Sequence, residues 1–216
     1  YGIMSWWDYG HWITRISHRL PNANPSRPTS GTPAQLFSAQ DEDSANELMD
    51  KLGMRYVIVD YYTATSKFHA VATLADRNPE DFFDVYYLPQ EDRLLTIQLF
   101  YPEYYHSLAI RLYNFDGKAV TPESPVVISY QPKIGRDGKT YKVITSSKSF
   151  SDYEEAIAYV SSQKSDDYRI VGTSPFISPV PLAALEHYQL VYKSEGAIRR
   201  QEAEPMPEIK IFEYIK

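Results

Sequence analysis

The stretch that most restricts the possible fold is residues 41–60, in which a helical pattern changes to a strand pattern at one glycine. Asp41-Glu42-Asp43-Ser44 is typical of a helix start, and four apolar residues then recur at helical spacing: Ala45, Leu48, Met49 and Leu52. Gly53 ends this helix, and residues 54–59 are rich in β-branched side chains, which indicates a buried strand. A helix that leads directly into a buried strand favours a mixed α and β core.

Helical and strand-like patterns cover most of the remaining chain. The predicted helices are residues 5–19, 62–75, 104–113 and a run capped by Ser151-Asp152, with a helical turn at 182–187. The predicted strands are residues 86–87, 94–100, 168–172, 188–192 and 209–215. We therefore predict an α+β fold with a helix-rich mixed core.

A β-rich insertion interrupts the helical pattern. Residues 126–130 and 140–144 are strand-like, and they flank PKIGRDGK, whose glycines and aspartate are typical of a turn. These runs predict a β-hairpin. We expect a single compact domain, with the helix-rich core over about 1–118 and 151–216 and the insertion over about 119–150.

The longest predicted loop is LPNANPSRPTSGTP, residues 20–33. Its prolines and glycine prevent both a helix and a sheet strand from forming. Loops of this length are uncommon inside compact domains and are often functional. The loop therefore either lies near the aromatic motif described below or serves as a connector, and the sequence leaves both open.

Composition excludes several classes of function. The net charge of −6 argues against a nucleic-acid partner and against a polybasic membrane-docking face, since both require a basic surface. Cysteine is absent, which excludes a disulfide framework, a thiolate nucleophile and a cysteine metal site. No run approaches the roughly 18 to 20 apolar residues that cross a bilayer.

The string Trp6-Trp7-Asp8-Tyr9-Gly10 is the most unusual stretch of the sequence. One interpretation is structural: Ser5-x-x-Asp8 fits a capping box, and an amphipathic helix would follow with Trp12, Ile13, Ile16 and Leu20 on its apolar face. The other interpretation is a binding pocket, because aromatic walls exclude water and make a carboxylate a strong hydrogen-bond acceptor. Such a pocket suits a small hydroxyl or amide.

The segment YGIMSWWDYGHWI resembles the signature of the catalytic subunit of oligosaccharyltransferases, the enzymes of asparagine-linked glycosylation, in their archaeal AglB-type form. The WWDYG pentapeptide is intact here. The resemblance implies a multi-span membrane protein whose extracytoplasmic carboxy-terminal domain opens close to this motif. The chain starts at Tyr1 and reads as that domain.

A second element of the family has an Asp and a Lys followed by Met or Ile, written D-x-x-K-x-x-x-M/I in its compact form. The residues that match it here are Asp60, Lys67 and Val71. Two departures weaken the match: six residues separate Asp60 from Lys67 instead of two, and Val replaces Met or Ile. The alternative interpretation is a solvated helix with a lysine that extends into water.

The resemblance implies recognition of the Ser or Thr of the acceptor sequence Asn-x-Ser/Thr. Trp6, Trp7 and Asp8 would surround the hydroxyl, with Asp8 accepting its proton, and Tyr9 and Gly10 complete the motif. Lys67 would orient the region, and Val71 would touch the threonine methyl. Burying one methyl is worth about 0.8 kcal/mol, which gives roughly a fourfold preference for Thr over Ser.

Other functions of the family are expected outside this chain. The resemblance implies a divalent metal, Mn or Mg, and catalytic carboxylates in the membrane part, and a dolichol-linked oligosaccharide as donor. We expect this chain alone to be inactive and monomeric. Within it, His11 and His18 are seven residues apart and lack a nearby third ligand, so they are weak evidence for zinc.

A carbohydrate-binding module is the rival hypothesis. The adjacent tyrosine pairs could form platforms on which sugars stack: Tyr61-Tyr62, Tyr86-Tyr87 and Tyr104-Tyr105. Tyrosine also suits a core whose edges remain in contact with water. A sugar module would respond to free oligosaccharide, whereas a reader of the acceptor sequence would respond to Asn-x-Thr peptides.

Overall fold

The structure is a computed structural model that describes residues 1–26, 31–91, 93–135, 137–198 and 205–216. Its helices and mixed β-sheets confirm the α+β fold. The chain divides into two compact units. The first contains residues 1–78, 106–119 and 183–216, and the second contains residues 79–105 and 120–182.

Helices and strands are interspersed along the chain. The α-helices are α1 (Gly10–Trp12), α2 (Gly31–Phe37), α3 (Glu42–Lys51), α4 (Tyr61–Ala64), α5 (Phe68–Leu74), α6 (Pro102–His106), α7 (Leu108–Phe115) and α8 (Tyr153–Ser162). The strands are β1 (Gly2–Ser5), β2 (Leu20–Pro21), β3 (Met54–Asp60), β4 (Phe83–Gln90), β5 (Arg93–Phe100), β6 (Val126–Ile134), β7 (Thr140–Ser149), β8 (Tyr168–Val171), β9 (Tyr188–Lys193), β10 (Gly196–Ile198), β11 (Met206–Pro207) and β12 (Ile209–Tyr214). No helix in the described part of the chain has the length and apolar character needed to cross a membrane.

The first unit is built on a five-stranded sheet of order β2-β1-β3-β12-β9. Strand β1 runs parallel to β2 and β3, whereas β12 runs antiparallel to β3 and β9. One face is fully buried through Val57, Val59 and Phe212, on the side where α3 and α7 contact the sheet. The opposite face carries Ile58 and Ile211, which line an apolar groove of about 550 Å³.

The second unit contains the predicted hairpin and more strands than the hairpin alone. Strands β6 and β7 pair antiparallel, and the sheet order is β5-β4-β7-β6-β8. Because β4 pairs with β7 and β8 pairs with β6, the sheet includes segments on both sides of the predicted insertion. Its core contains six buried residues: Tyr86, Leu99, Tyr101, Ile128, Ile144 and Val171.

The predicted first helix, residues 5–19, is wrong. Strand β1 continues to Ser5, a 3₁₀ turn covers Trp7–Tyr9, α1 is a single turn, and a π-helical turn covers Ile13–Ser17. The capping box is also absent, since Trp6 is the N-cap residue and its side chain makes no capping bond within the described chain. Pairing of β1 with β3 extends the backbone here, so tertiary contacts override the helical pattern.

The predicted apolar face of that helix does not enter the core. Ile13 is 5% exposed, but Trp12, Ile16 and Leu20 are 65%, 67% and 77% exposed. Only one of the four residues is therefore buried. Trp12 and Ile16 instead line the apolar groove over the sheet face that carries Ile58 and Ile211. The π-helical turn ends at His18, which has a φ of 52°.

Four further predictions need correction. The predicted helix 62–75 is split into α4 and α5 at Thr65, whose φ of −128° and ψ of −98° are not helical. The predicted helix 104–113 is split at Ser107, which is extended. The predicted turn 182–187 is not helical, because Leu182 bridges Val120 through two backbone hydrogen bonds. In the predicted loop 20–33, β2 and the start of α2 are regular, and residues 27–30 lie outside the described chain.

A partly buried charge cluster joins the end of α7 to β12 and β9. Asp116 accepts hydrogen bonds from Lys210 Nζ at 2.7 Å and from Lys193 Nζ at 2.8 Å, and Lys210 is only 5% exposed. Burial of Asp116 opposes its ionisation, but the two lysines outweigh burial and lower its pKa below 3.8. The stability from this carboxylate is therefore present above about pH 4. It is lost as the pH falls further through the folded-state pKa.

We expect Asp116→Asn to lower the free energy of unfolding by about 2 kcal/mol at pH 7, because Lys210 stays buried with a weaker partner. Asn tolerates the left-handed backbone of this position, where φ is 57°, so the backbone adds little cost. Urea unfolding at pH 7 and at pH 3 measures the effect. The variant should also lose less stability than the parent between these two pH values.

The matched control for that experiment is Asp50→Asn, which removes an exposed pair with Lys216. No measurable change at pH 7 is expected there. An equal loss of stability in both variants, or an unchanged acid dependence in Asp116→Asn, would contradict the role given to the cluster.

Candidate functional site

The structure brings the two predicted motifs into contact. Lys67 Nζ donates a hydrogen bond to Asp8 Oδ2, although 59 residues separate them in the chain. Their side chains are 35% and 29% exposed, so a ligand can reach the pair. An ion pair this exposed contributes at most about 1 kcal/mol to stability. The contact is therefore better suited to orienting the carboxylate than to holding the fold.

Parallel pairing of β1 and β3 explains how the motifs meet. Ser5 at the end of β1 lies opposite Ile58, two residues before the end of β3. Both strands thus leave the sheet at the same edge, where β1 continues into the Trp7–Tyr9 turn and β3 into α4. Carboxyl ends of neighbouring parallel strands commonly display functional groups together.

The two tryptophans occupy different environments. Trp6 is 3% exposed and belongs to the core, whereas Trp7 is half-buried beside Asp8 in the chain. Of these two side chains, only Trp7 therefore offers surface that a bound ligand can touch without rearrangement.

Gly10 is required by a close approach of two backbone segments. A β-carbon at this position would lie 2.2 Å from Ala23 O and 2.5 Å from Asn24 Cα. The φ of Gly10 is −56°, which any residue adopts, so conformational freedom is not the reason for glycine. The described start of the 20–33 loop thus packs directly on the motif, and Ser26 Oγ lies 3.2 Å from His11 Nε2.

Asp60 is buried and acts as a helix cap. It is 1% exposed, and its Oδ1 accepts a hydrogen bond from Thr63 N at 2.5 Å. Its Oδ2 accepts no well-formed hydrogen bond from the described residues. The phenol of Tyr9 nevertheless lies close to the carboxylate: burial raises the pKa of Tyr9 above its usual range, and Asp60 raises it further.

Val71 follows Lys67 by one helical turn, and its backbone N–H donates to Lys67 O at 3.1 Å. Its side chain is fully buried. Contact between Val71 and a ligand methyl therefore requires α5 to open locally, and this part of the site stays a prediction.

Tyr62 lies beside the candidate site and is missed by the motif comparison. It is 40% exposed, and Lys67 Nζ lies 5.8 Å from the centroid of its ring. The ring therefore flanks the Asp8–Lys67 pair. The sequence carried one signal for Tyr62. The stretch between Asp60 and Lys67 is longer than in the compact motif, and it contains aromatic side chains.

Two of the three tyrosine pairs cannot form the predicted sugar platforms. Tyr86, Tyr104 and Tyr105 are fully buried, and Tyr105 donates a hydrogen bond to Ser174 O at 2.7 Å. The pairs Tyr86-Tyr87 and Tyr104-Tyr105 thus each have at least one ring that cannot stack on a sugar. Three of these six tyrosines fill the core, whereas Tyr62 is 40% exposed.

Metal ligands do not cluster in the described residues: none of their His, Cys, Asp and Glu side chains form a group of three or more that could hold an ion. The His11 and His18 pair gains no third ligand among them.

The part of the chain that contains WWDYG matches a known protein family. A family model described as the AglB core domain matches residues 1–64. The AglB dolichyl-monophosphooligosaccharide–protein glycotransferase of Haloferax volcanii is 33% identical over 222 residues, which cover 93% of this chain and 21% of that protein. Dolichyl-phosphooligosaccharide–protein glycotransferase 3 of Archaeoglobus fulgidus is 24% identical over 242 residues, which cover 100% of this chain and 27% of that protein. The chain thus spans about a quarter or less of the curated relatives it matches.

Solved structures share the fold. An oligosaccharyltransferase of A. fulgidus crystallised with Zn and sulfate aligns with a TM-score of 0.53 and 19% identity, over 99% of this chain and 29% of that chain. The A. fulgidus enzyme tethered through a disulfide to an acceptor peptide with the NVT sequon aligns with a TM-score of 0.52 and 20% identity, over 99% and 27%. At this identity the likeness establishes a common fold.

Proposed function

Because the chain belongs to the AglB family of oligosaccharyltransferases, we propose that it is the extracytoplasmic carboxy-terminal domain of such an enzyme and reads the acceptor Asn-x-Ser/Thr. The observation that carries this proposal is the contact between Asp8 of an intact WWDYG and Lys67 of the second motif, at a partly exposed edge of the first sheet. A related enzyme has been crystallised with an NVT acceptor peptide.

The hydroxyl of the acceptor Ser or Thr donates its hydrogen bond to Asp8. Lys67 holds the carboxylate in place from one side, and Trp7 excludes water from the other. A site built to accept a hydroxyl rejects a residue that lacks one, because its own polar group is then left without a partner. Selection for Ser and Thr follows from this arrangement.

The remaining parts of the enzyme lie outside this chain in the proposal. The parent protein is a multi-pass membrane protein that transfers a dolichol-linked oligosaccharide to the asparagine amide. Residues beyond this chain would hold a divalent metal, Mn or Mg, which would supply Lewis-acid activation of that amide. The 216-residue chain alone is a monomer that reads the acceptor and transfers nothing.

The peptide specificity of the full-length protein tests the proposal. We expect transfer to Asn-x-Thr to exceed transfer to Asn-x-Ser by about fourfold, the value of one buried methyl. Asn-x-Val has the shape of Asn-x-Thr without the hydroxyl and should not be glycosylated. Efficient transfer to Asn-x-Val would contradict recognition through Asp8.

In the same assay, Val71→Ala should narrow the preference for Thr over Ser, provided that α5 opens when the acceptor binds. Because Val71 is fully buried in this structure, the variant should also lower the melting temperature. If Val71→Ala lowers the melting temperature but leaves the ratio of transfer to Asn-x-Thr over Asn-x-Ser unchanged, Val71 does not contact the acceptor and only packs in the core.

A further inference from the structure

Asp60 is connected through intervening residues to both Asp8 and Lys67, the two members of the ion pair. It is itself too buried to contact an acceptor peptide. It is 1% exposed, compared with 29% for the Asp8 side chain. A carboxylate that is excluded from water needs partners within the protein. Two separate sets of contacts connect Asp60 to the ion pair: one, through α4, reaches Lys67, and the other, through Tyr9, reaches Asp8.

The path to Lys67 runs through α4. Asp60 Oδ1 caps this short helix by accepting from Thr63 N. Within α4, Tyr62 O accepts hydrogen bonds from Thr65 N at 3.1 Å and from Lys67 N at 2.7 Å. The backbone of Lys67 is thus attached to the helix that Asp60 holds, and its position depends on that cap.

The path to Asp8 runs through Tyr9, its neighbour in the 3₁₀ turn. Tyr9 lines the apolar groove together with Ile58 and Ile209. Ile58 and Asp60 are two residues apart on β3 and leave the same face, and Ile209 is the residue opposite Asp60 on β12. The register therefore places the Tyr9 ring against the strand end that carries Asp60, in agreement with the influence of Asp60 on the Tyr9 pKa.

We propose that Asp60 is a positioning residue, which acts with the Tyr9 hydroxyl to hold Asp8 and Lys67 in the geometry that accepts a hydroxyl. This inference rests on the proposed function and assigns Asp60 and Tyr9 a different role from direct contact with the acceptor. One buried carboxylate couples the two motifs, so that disturbing either contact displaces the same ion pair.

A double-mutant cycle in the full-length protein tests this coupling, with Tyr9→Phe, Asp60→Asn and the double variant. Asn retains an oxygen that caps α4, so Asp60→Asn removes the charge and keeps the helix start. We expect each single change to raise KM for an Asn-x-Thr peptide by about tenfold with kcat nearly unchanged, the effect of losing a hydrogen bond to a charged group. The double variant should resemble the singles.

Two controls separate positioning from general stability. Tyr188→Phe removes another buried hydroxyl, which has no hydrogen-bond partner among the described residues, and Asp152→Asn changes another helix cap. Both should leave KM unchanged. The inference would be overturned if the increases in KM from Tyr9→Phe and Asp60→Asn multiplied in the double variant. It would also be overturned if these variants lowered only the melting temperature and left KM unchanged.

Asp8→Ala in parallel distinguishes this inference from the function on which it rests. If Asp8→Ala retains transfer, the proposed function fails. If Asp8→Ala abolishes transfer while Asp60→Asn leaves KM unchanged, only the positioning role fails.

Discussion

Asp8→Ala is expected to reduce kcat/KM of the full-length protein for an Asn-x-Thr peptide by at least about 100-fold, because a hydroxyl bound to a charged acceptor loses its only proposed partner. The fold should not change. The Asp8 side chain is 29% exposed, and its pair with Lys67 adds little to stability. The circular dichroism and melting temperature of the 216-residue chain should therefore match those of the parent.

Transfer of labelled oligosaccharide to the peptide measures this effect. Asp43→Ala, which removes an acidic side chain from the first turn of α3, is the control and should leave transfer intact. Transfer by Asp8→Ala at the parental rate would refute the role of Asp8 as the acceptor of the hydroxyl proton.

Gly10→Ala is expected to lower the free energy of unfolding by about 3 kcal/mol or to displace the loop that packs on the motif. The added β-carbon would collide with Ala23 O and Asn24 Cα, which are backbone atoms and cannot rotate away as a side chain can. Relief of the collision moves either the loop or the Trp7–Tyr9 turn. The variant should for this reason lose acceptor transfer as well as stability.

Chemical unfolding of the 216-residue chain measures the stability change. Gly31→Ala is the matched control, since the nearest atom to its added β-carbon is Leu74 O at 3.8 Å. A neutral or slightly stabilising effect is expected there because Gly31 lies in a helix. Equal stabilities of Gly10→Ala and the parent would show that the loop does not press on the motif as described.

Helices and strands with strong local signals were predictable from the sequence. Asp41 and Asp152 each accept a hydrogen bond from the backbone three residues later, as their positions before acidic first turns predict. The strand after Gly53 was equally clear, and Gly53 has a φ of 62°, which glycine adopts readily. These signals act over a few residues and depend little on distant contacts.

The candidate site was only partly predictable. Resemblance to a family selected Asp8 and Lys67, and the structure places them in contact. The buried position of Val71 and the exposure of Tyr62 beside Lys67 depend on how α4 and α5 pack, which no local pattern encodes. The capping role of Asp60 became visible only once α4 was seen to begin directly after it.

The sequence by itself determined the α+β class, the capped helices and the strands with continuous apolar runs, because neighbouring residues carry those preferences. Tertiary structure alone decided the conformation of residues 5–17. Their spacing suits an amphipathic helix, but pairing of β1 with β3 satisfies the backbone hydrogen bonds of residues 2–5 in a sheet instead. A helix starting at residue 5 would forgo the pairing of Ser5 with Ile58. The strand instead brings Asp8 to the edge where Lys67 meets it.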